Sequence, residues 1–297
     1  MTGRRFLRRF ARHRLALASA ILLSFLTLAA AAAPLVEVAL GVDQTAVSLL
    51  DRFAPPSAEH PLGTDELGRD LLVRLLYGGR VSLFVGVAAA LAAGLIGTGI
   101  GLLAGYFGGR LDALLMRVTD GMIALPLLPL LIVLAAVDLT RLGVPPSWAG
   151  AEDASLLRIV VLVALFGWTT VARLVRGATL SARRRDYVLA AVALGAGSQR
   201  IMLAHVLPNI AAPAVVATTL TVGNVILLES VLSFLGLGIQ PPLPSWGNML
   251  TGAQDLVTTA PWLAVWPGLL IFVTVIAVNL LGDGLQDALD PRTLGRA

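Results

Sequence analysis

Glu229 is the carboxylate whose setting most invites a chemical role, because it stands near the end of an apolar run with no basic residue beside it. In a membrane helix such a group faces protein or water rather than lipid. Asn224 puts an amide on the same run. Two roles fit: lining or gating a pore, and a hydrogen-bonded structural role near the boundary of the apolar layer. Catalysis is poorly served, since Glu229 has no visible acid, base or nucleophile as a partner. His13, His60 and His205 lie far apart in the chain and form no metal-ligand cluster, and cysteine is absent, which removes thiol nucleophiles, disulfides and thiolate metal sites together. Lysine is absent too, and with it the phosphate-binding Gly-x-x-x-x-Gly-Lys loop. The Gly97-x-Gly99 pair is not a dinucleotide loop, because Leu102 occupies the third glycine position. Asp283, Asp287 and Asp290 recur at helical spacing but lack the spacing and terminal glutamate of a calcium loop. They read as a solvated face or a short tail helix. The expectation is a chain with no catalytic residue, no metal site and no bound cofactor.

The elements that position these residues must fold in lipid. The 297 residues are 57% hydrophobic and 13% charged, with a mean hydropathy of +0.85, which is too apolar for a chain that folds in water. A helix crossing a hydrocarbon core of about 30 Å needs about 20 mainly apolar residues. Six segments meet or approach that length: Leu15 to Val36, Val81 to Tyr106, Gly121 to Val137, Ile159 to Ala172, Ile210 to Leu228 and Ala260 to Leu281. Pro126 and Pro129 remove backbone donors from the third and should kink it. The fourth is short, bracketed by Arg158 and Arg173, whose guanidinium groups are expected to snorkel outward. In the second, Gly97, Gly101 and Gly105 lie four apart on one face and predict close helix packing. The first apolar run follows an arginine-rich stretch and includes Ala31-Ala32-Ala33, but it is longer than the 7 to 15 residues typical of a signal-peptide core and reads as a retained span.

All 22 basic residues are arginine. Six precede the first span and six follow the fourth; with Arg110, Arg117, Arg292 and Arg296, one face holds 16 against 6 on the other. Basic residues concentrate on the cytoplasmic side, so both termini are expected there. Clustering beside apolar runs also sets aside nucleic acid as the partner of the net +4 charge. The predicted organisation is a cytoplasmic arm at 1–14 and a single membrane domain at 15–297. Its larger polar connections are an external segment at 37–80, a cytoplasmic one at 173–209 and an external one at 229–259.

The cytoplasmic segment RRRDYVLAAVALGAGSQRIMLAHVLPN, Arg183 to Asn209, reads as a helix from Val188 to Leu194, a turn at Gly195 and Gly197, and a second short helix from Gln199 to Val206 that ends at Pro208. Ala190, Ala191 and Ala193 would let another surface approach such a knob closely. An ordinary loop held by arginine at the headgroups fits the composition as well. The stretch Gly236 to Trp246, with its glycines and three prolines, predicts an ordered non-helical loop. Trp246, Trp262 and Trp266 suit an aromatic interface belt.

Ala190-Ala191, Gly195 and the Leu207-Pro208 pair resemble the cytoplasmic loop of binding-protein-dependent ABC importer permeases. HPLGTDELGRDLLVRLLYGGR (His60 to Arg80), LLESVLSFLGLGIQPPLPSWGNML (Leu227 to Leu250) and NLLGDGLQDALDPR (Asn279 to Arg292) are similar to the C-type subunit of the dipeptide, oligopeptide and nickel group. The resemblance implies an all-α, six-span, type I importer permease fold in a bacterial inner membrane. It also implies a second, homologous permease subunit, two ATPase subunits that use ATP and Mg, and an external substrate-binding protein docking at the Gly236–Trp246 region. That region could equally be a loop that only caps the fifth span. In this family the cytoplasmic loop docks on the ATPase, which assigns coupling to Asp186, Ala190, Ala191, Leu194, Gly195, Ala196, Gly197, Ser198, Gln199 and Pro208. One departure stands out: the family's loop has glutamate before its two alanines, and this chain has Leu189. Apolar packing there, or a contact from Asp186 one helical turn earlier, are the two readings.

The expected function is half of a translocation path for dipeptides or oligopeptides, with nickel chelates or other small solutes as the alternative within the same architecture. An intramembrane enzyme and a passive channel are the competing classes. The first lacks paired catalytic groups, and the second would conduct without nucleotide.

Overall fold

The computed structural model describes residues 9–11, 13–149 and 154–289. Asp290, Arg292 and Arg296, and with them the end of the expected tail helix, lie outside the described residues, as does most of the N-terminal arm. Among the described residues the chain is helical, with no β-strand; Thr64 and Asp70 form an isolated bridge. In chain order the principal helices are α1 (Arg14–Ala31), α2 (Ala33–Leu40), α3 (Leu71–Phe107), α4 (Gly109–Ala124), α5 (Leu127–Ala135), α6 (Ala154–Ala182), α7 (Asp186–Ala193), α8 (Leu207–Phe234) and α9 (Trp262–Leu289).

Five helical runs are long and apolar enough to cross a membrane: α1, α3, α6, Ser198–Phe234 and α9. The third expected span is a broken one. α4 and α5 together pass the same test but meet at a bend of 82°. Pro126 lies at the break, as the sequence suggests, but the helix entering it begins at Gly109 rather than Gly121. α4 leans on α6 through Asp112, which accepts two hydrogen bonds from Arg176 at 2.5 and 2.6 Å, and through Asp120, 2.5 Å from Arg173. α5 is held at the other end, where Leu131 packs with Ile159 and Val163, and Arg158 donates to the Ala135 carbonyl at 2.5 Å.

These contacts extend the reading of the fourth span. α6 is 29 residues long, and Arg158 and Arg173, expected at its ends, lie within it and reach protein acceptors. Two carboxylates and a helix-terminal carbonyl offer a guanidinium fixed, charge-assisted partners.

α3 and α6 form the tightest helix pair, and α3's glycines permit it. A Cβ on Gly97 would lie 2.6 Å from the Trp168 carbonyl oxygen, and one on Gly105 would lie 2.6 Å from the Thr179 Cβ. Asp70 caps the start of α3, its side chain accepting from the Val73 N–H at 2.8 Å, so one orphan donor of the first turn is satisfied. At the arginine-rich end of the bundle, Leu102, Val175, Val206 and Ile210 share one cluster. At the opposite end Leu71, Ile226, Trp246 and Leu263 share another.

Candidate functional site

The segment after α6 builds a knob. α7 starts at Asp186, whose carboxylate stands in the first helical turn, where the helix dipole favours negative charge. It stops because Gly195 takes the left-handed conformation at φ +77. The Gly195 N–H then donates to the Val192 carbonyl at 2.9 Å and the Ala196 N–H to the Ala191 carbonyl at 3.0 Å, the paired bonds of a Schellman stop. Past Gly197 the chain re-enters a helix at Ser198, runs through a π-helical stretch, Ile201–Val206, and continues without interruption into α8.

Here the expected second short helix ending at Pro208 is overturned. Pro208 lies inside that continuous run, just after the π-helical stretch, whose wider turn accommodates a residue without an N–H. The knob is therefore one piece with a membrane span. Its inner face, Val188, Ala191, Ile201 and Met202, packs against Leu102, Val171 and Val175 of α3 and α6. Ala191 is thus occupied within the chain and does not offer a smooth face to a partner, whereas Ala190, Gly195, Gly197, Ser198, Gln199 and Pro208 are exposed and Ala196 is half-buried. The outer face is bare and apolar: Leu189 is 55% exposed, Val192 54% and Leu194, at the tip, 88%. Asp186 is exposed too, so the nearest carboxylate to Leu189 is available on the knob surface.

At the opposite end, Glu229 is fully buried. Ser233, one turn along α8, donates to its Oε1 at 2.7 Å, and Ser82 of α3 donates to its Oε2 at 3.3 Å. Each serine also receives a backbone N–H of the loop that follows α8: Trp246 donates to the Ser82 Oγ at 3.1 Å and Ile239 to the Ser233 Oγ at 3.0 Å. Glu229 therefore anchors a clasp that fixes this loop on the bundle. The Gly236–Trp246 stretch is ordered and non-helical, as its composition predicts. Asn248 ties it internally, donating to the Ile239 and Leu243 carbonyls at 3.2 and 2.8 Å.

Trp246 corrects the aromatic-belt expectation. It is 2% exposed and its indole N–H donates to the Leu75 carbonyl at 3.0 Å; a buried indole satisfied by protein has no need of the headgroup layer. Trp262 and Trp266 are half-buried in the same cluster. Asn224 is exposed on α8, away from the clasp. Sequence reasoning misses Ser82 because nothing local marks it, 147 residues from Glu229, whereas Ser233, four residues on in the same helix, is marked by helical spacing.

The clasp geometry predicts a graded result. Glu229→Gln retains a carbonyl acceptor, so uptake should stay within about twofold of wild type. Glu229→Leu strands two serine hydroxyls and should cost about 1–3 kcal/mol, read as faster proteolysis within residues 236–250. Loss of uptake in Glu229→Gln with the loop still protected would overturn the structural role.

Among the described residues no group of three or more His, Asp or Glu side chains could hold a metal. His13 lies 3.6 Å from Asp287 and His60 3.1 Å from Asp70, each as an isolated pair.

Comparison with known proteins agrees with this arrangement. Residues 97–295 match the family of binding-protein-dependent transport system inner membrane components, and residues 2–56 match the N-terminal membrane domain of oligopeptide transport permease C. The chain is 42% identical over 286 residues to the dipeptide transport system permease protein DppC of Bacillus subtilis, covering 96% of this chain and 84% of that one. It is 38% identical to the oligopeptide permease OppC of the same organism over 96% of this chain and 88% of that one. It is also 40% identical to the glutathione transport system permease protein GsiD of Pectobacterium atrosepticum, over 97% and 91%. A multi-pass helical bundle with this match over most of its length belongs to the binding-protein-dependent transport system inner membrane components, the permease subunits of ABC importers.

Proposed function

We propose that this chain forms half of the translocation path of an ATP-driven importer of dipeptides or oligopeptides, with its arginine-rich end in the cytoplasm. The observation that carries the reading is the knob. An apolar tip, Leu194, projects from the arginine-rich end, joined by the Gly195–Gly197 turn to the helical run Ser198–Phe234 that includes α8. A push on that tip moves a membrane span as a unit, and rigid-body reorientation of bundles is how such a path alternates its access. The arginine bias supports the orientation. The partners are a second, homologous permease subunit, two ATPase subunits that bind ATP and Mg, and an external binding protein that meets the clasped loop. The peptide substrate is supported by the names of the relatives. The family's glutamate contact on the ATPase is replaced here by apolar packing at Leu189, which is exposed beside Val192.

The test is uptake by vesicles that contain the purified complex. Labelled dipeptide should accumulate only with binding protein, both ATPases and ATP, and mass spectrometry of the co-purified binding protein should find a peptide. Uptake without ATP would make the chain a channel, and a sugar or inorganic anion on the binding protein would sink the peptide assignment.

A further inference from the structure

A groove of about 540 Å³ opens between α1, α3, α8 and α9. Its walls are hydrocarbon, with Leu23 of α1, Leu83, Phe84 and Val87 of α3, and Val222 and Val278 from α8 and α9. The two threonines that line it present methyl groups in effect, because Thr27 donates its hydroxyl to the Leu23 carbonyl at 2.8 Å and Thr219 to the Val215 carbonyl at 2.9 Å. Neither threonine has a hydroxyl proton left to donate into the groove. The groove has one charged lining residue, Arg80.

Arg80 is exposed, lies 5.4 Å from the Tyr77 ring, and has no carboxylate within ion-pair distance among the described residues. Beyond it, Arg80 and Phe84 also border a second cavity of about 390 Å³ with Gln44 and Tyr77 in its wall. The Gln44 Oε1 is buried and accepts no hydrogen bond, while the Tyr77 hydroxyl is spent on Glu37. Along α3 toward its N-terminal end, the apolar groove at Val87 and Phe84 gives way to the guanidinium of Arg80 and then to the second cavity at Tyr77.

That order matches an amphiphile. We infer that a phospholipid binds here, with one acyl chain in the groove and its phosphate on Arg80. A guanidinium suits a phosphate because its fork of N–H donors meets the anionic oxygens in pairs. The rival occupant, an apolar helix of the partner permease, would bring hydrocarbon to the groove but no anion to Arg80, whereas a phospholipid brings both. Surrounding lipid is as apolar as the groove, so discrimination rests on the headgroup end. The inference needs only that the chain lies in a membrane and does not depend on the peptide reading.

The experiment places the complete importer in nanodiscs containing a phospholipid with a diazirine in its acyl chain. After illumination, crosslinks should concentrate on peptides carrying Leu23 and Phe84. Arg80→Gln should lower their yield at least fivefold, Arg80→Lys should restore at least half of it, and Val87→Trp, which fills the groove but spares the cation, should lower it equally. Size-exclusion profiles matching wild type show that the variants assemble. Unchanged yield in Arg80→Gln, or crosslinks spread evenly over the exposed Leu91 and Leu95, would overturn the site. So would efficient crosslinking of Val87→Cys, unique in a chain without cysteine, to the partner permease.

Discussion

Gly101→Leu should yield almost no assembled transporter, whereas Gly99→Leu, two residues away on the same helix, should assemble as wild type. A Cβ on Gly101 would lie 2.5 Å from the Ala172 carbonyl oxygen, 2.8 Å from the Val175 Cβ and 2.9 Å from the Arg176 nitrogen, while one on Gly99 meets nothing within 4 Å. Two of the three obstacles at Gly101 are backbone atoms of a 29-residue helix that cannot rotate aside. Overpacking a close interface costs about 1–3 kcal/mol even where side chains can yield, and here the helices must separate along the whole glycine row, losing the contacts at Gly97 and Gly105 as well. Gly99→Leu instead gains helix propensity, up to about 1 kcal/mol. The measurement is the yield of monodisperse complex after solubilisation. Equal yields from the two variants would mean that α3 and α6 do not pack as described.

That row of glycines is legible in the amino-acid sequence, because three vanished side chains at four-residue spacing admit one explanation in a lipid-soluble helix. The break at Pro126 is legible in position but not in angle. A proline removes a donor wherever it falls, but the two halves of the 82° bend are each held by α6: Arg173 and Arg176 grip Asp120 and Asp112 of α4, and Arg158 and Ile159 meet Ala135 and Leu131 of α5. Those partners are distant in sequence, Asp112 and Arg176 by 64 residues, so no window of sequence contains them. Trp246 shows the same limit. An indole is equally suited to a headgroup layer and to a buried carbonyl, and only the approach of Leu75 decides between them. Pro208 misleads because a proline after a helical stretch usually ends it. The π-helical stretch ahead of it carries the chain into α8 without a break, so the proline falls inside a continuous helical run. Sequence therefore places the knob but not its continuity with the span.

If the knob couples to an ATPase as proposed, its exposed tip is a sensitive position. Leu194→Glu should abolish coupled ATPase activity and peptide uptake while leaving the permease folded. The side chain is 88% exposed, so the substitution removes little packing from the fold, and surface changes of that kind usually stay within about 0.5 kcal/mol. At an interface the arithmetic differs. A large apolar side chain at the centre of a docking patch can be worth about 2 kcal/mol or more, about a thirtyfold loss of affinity, and a carboxylate in its place must also be desolvated against an apolar groove. Gly195→Trp attacks the same contact from the backbone. There is room for the Cβ, but φ +77 strains any L side chain, by about 1–2 kcal/mol, and a bulky ring is added beside the tip. Both variants should co-purify with the partner permease and lose ATPase subunits on washing, whereas Gly197→Ala, at an exposed position without a positive φ, should retain them. Undiminished ATP-driven uptake by Leu194→Glu would remove the knob from the coupling mechanism and leave α8 to be moved from some other surface.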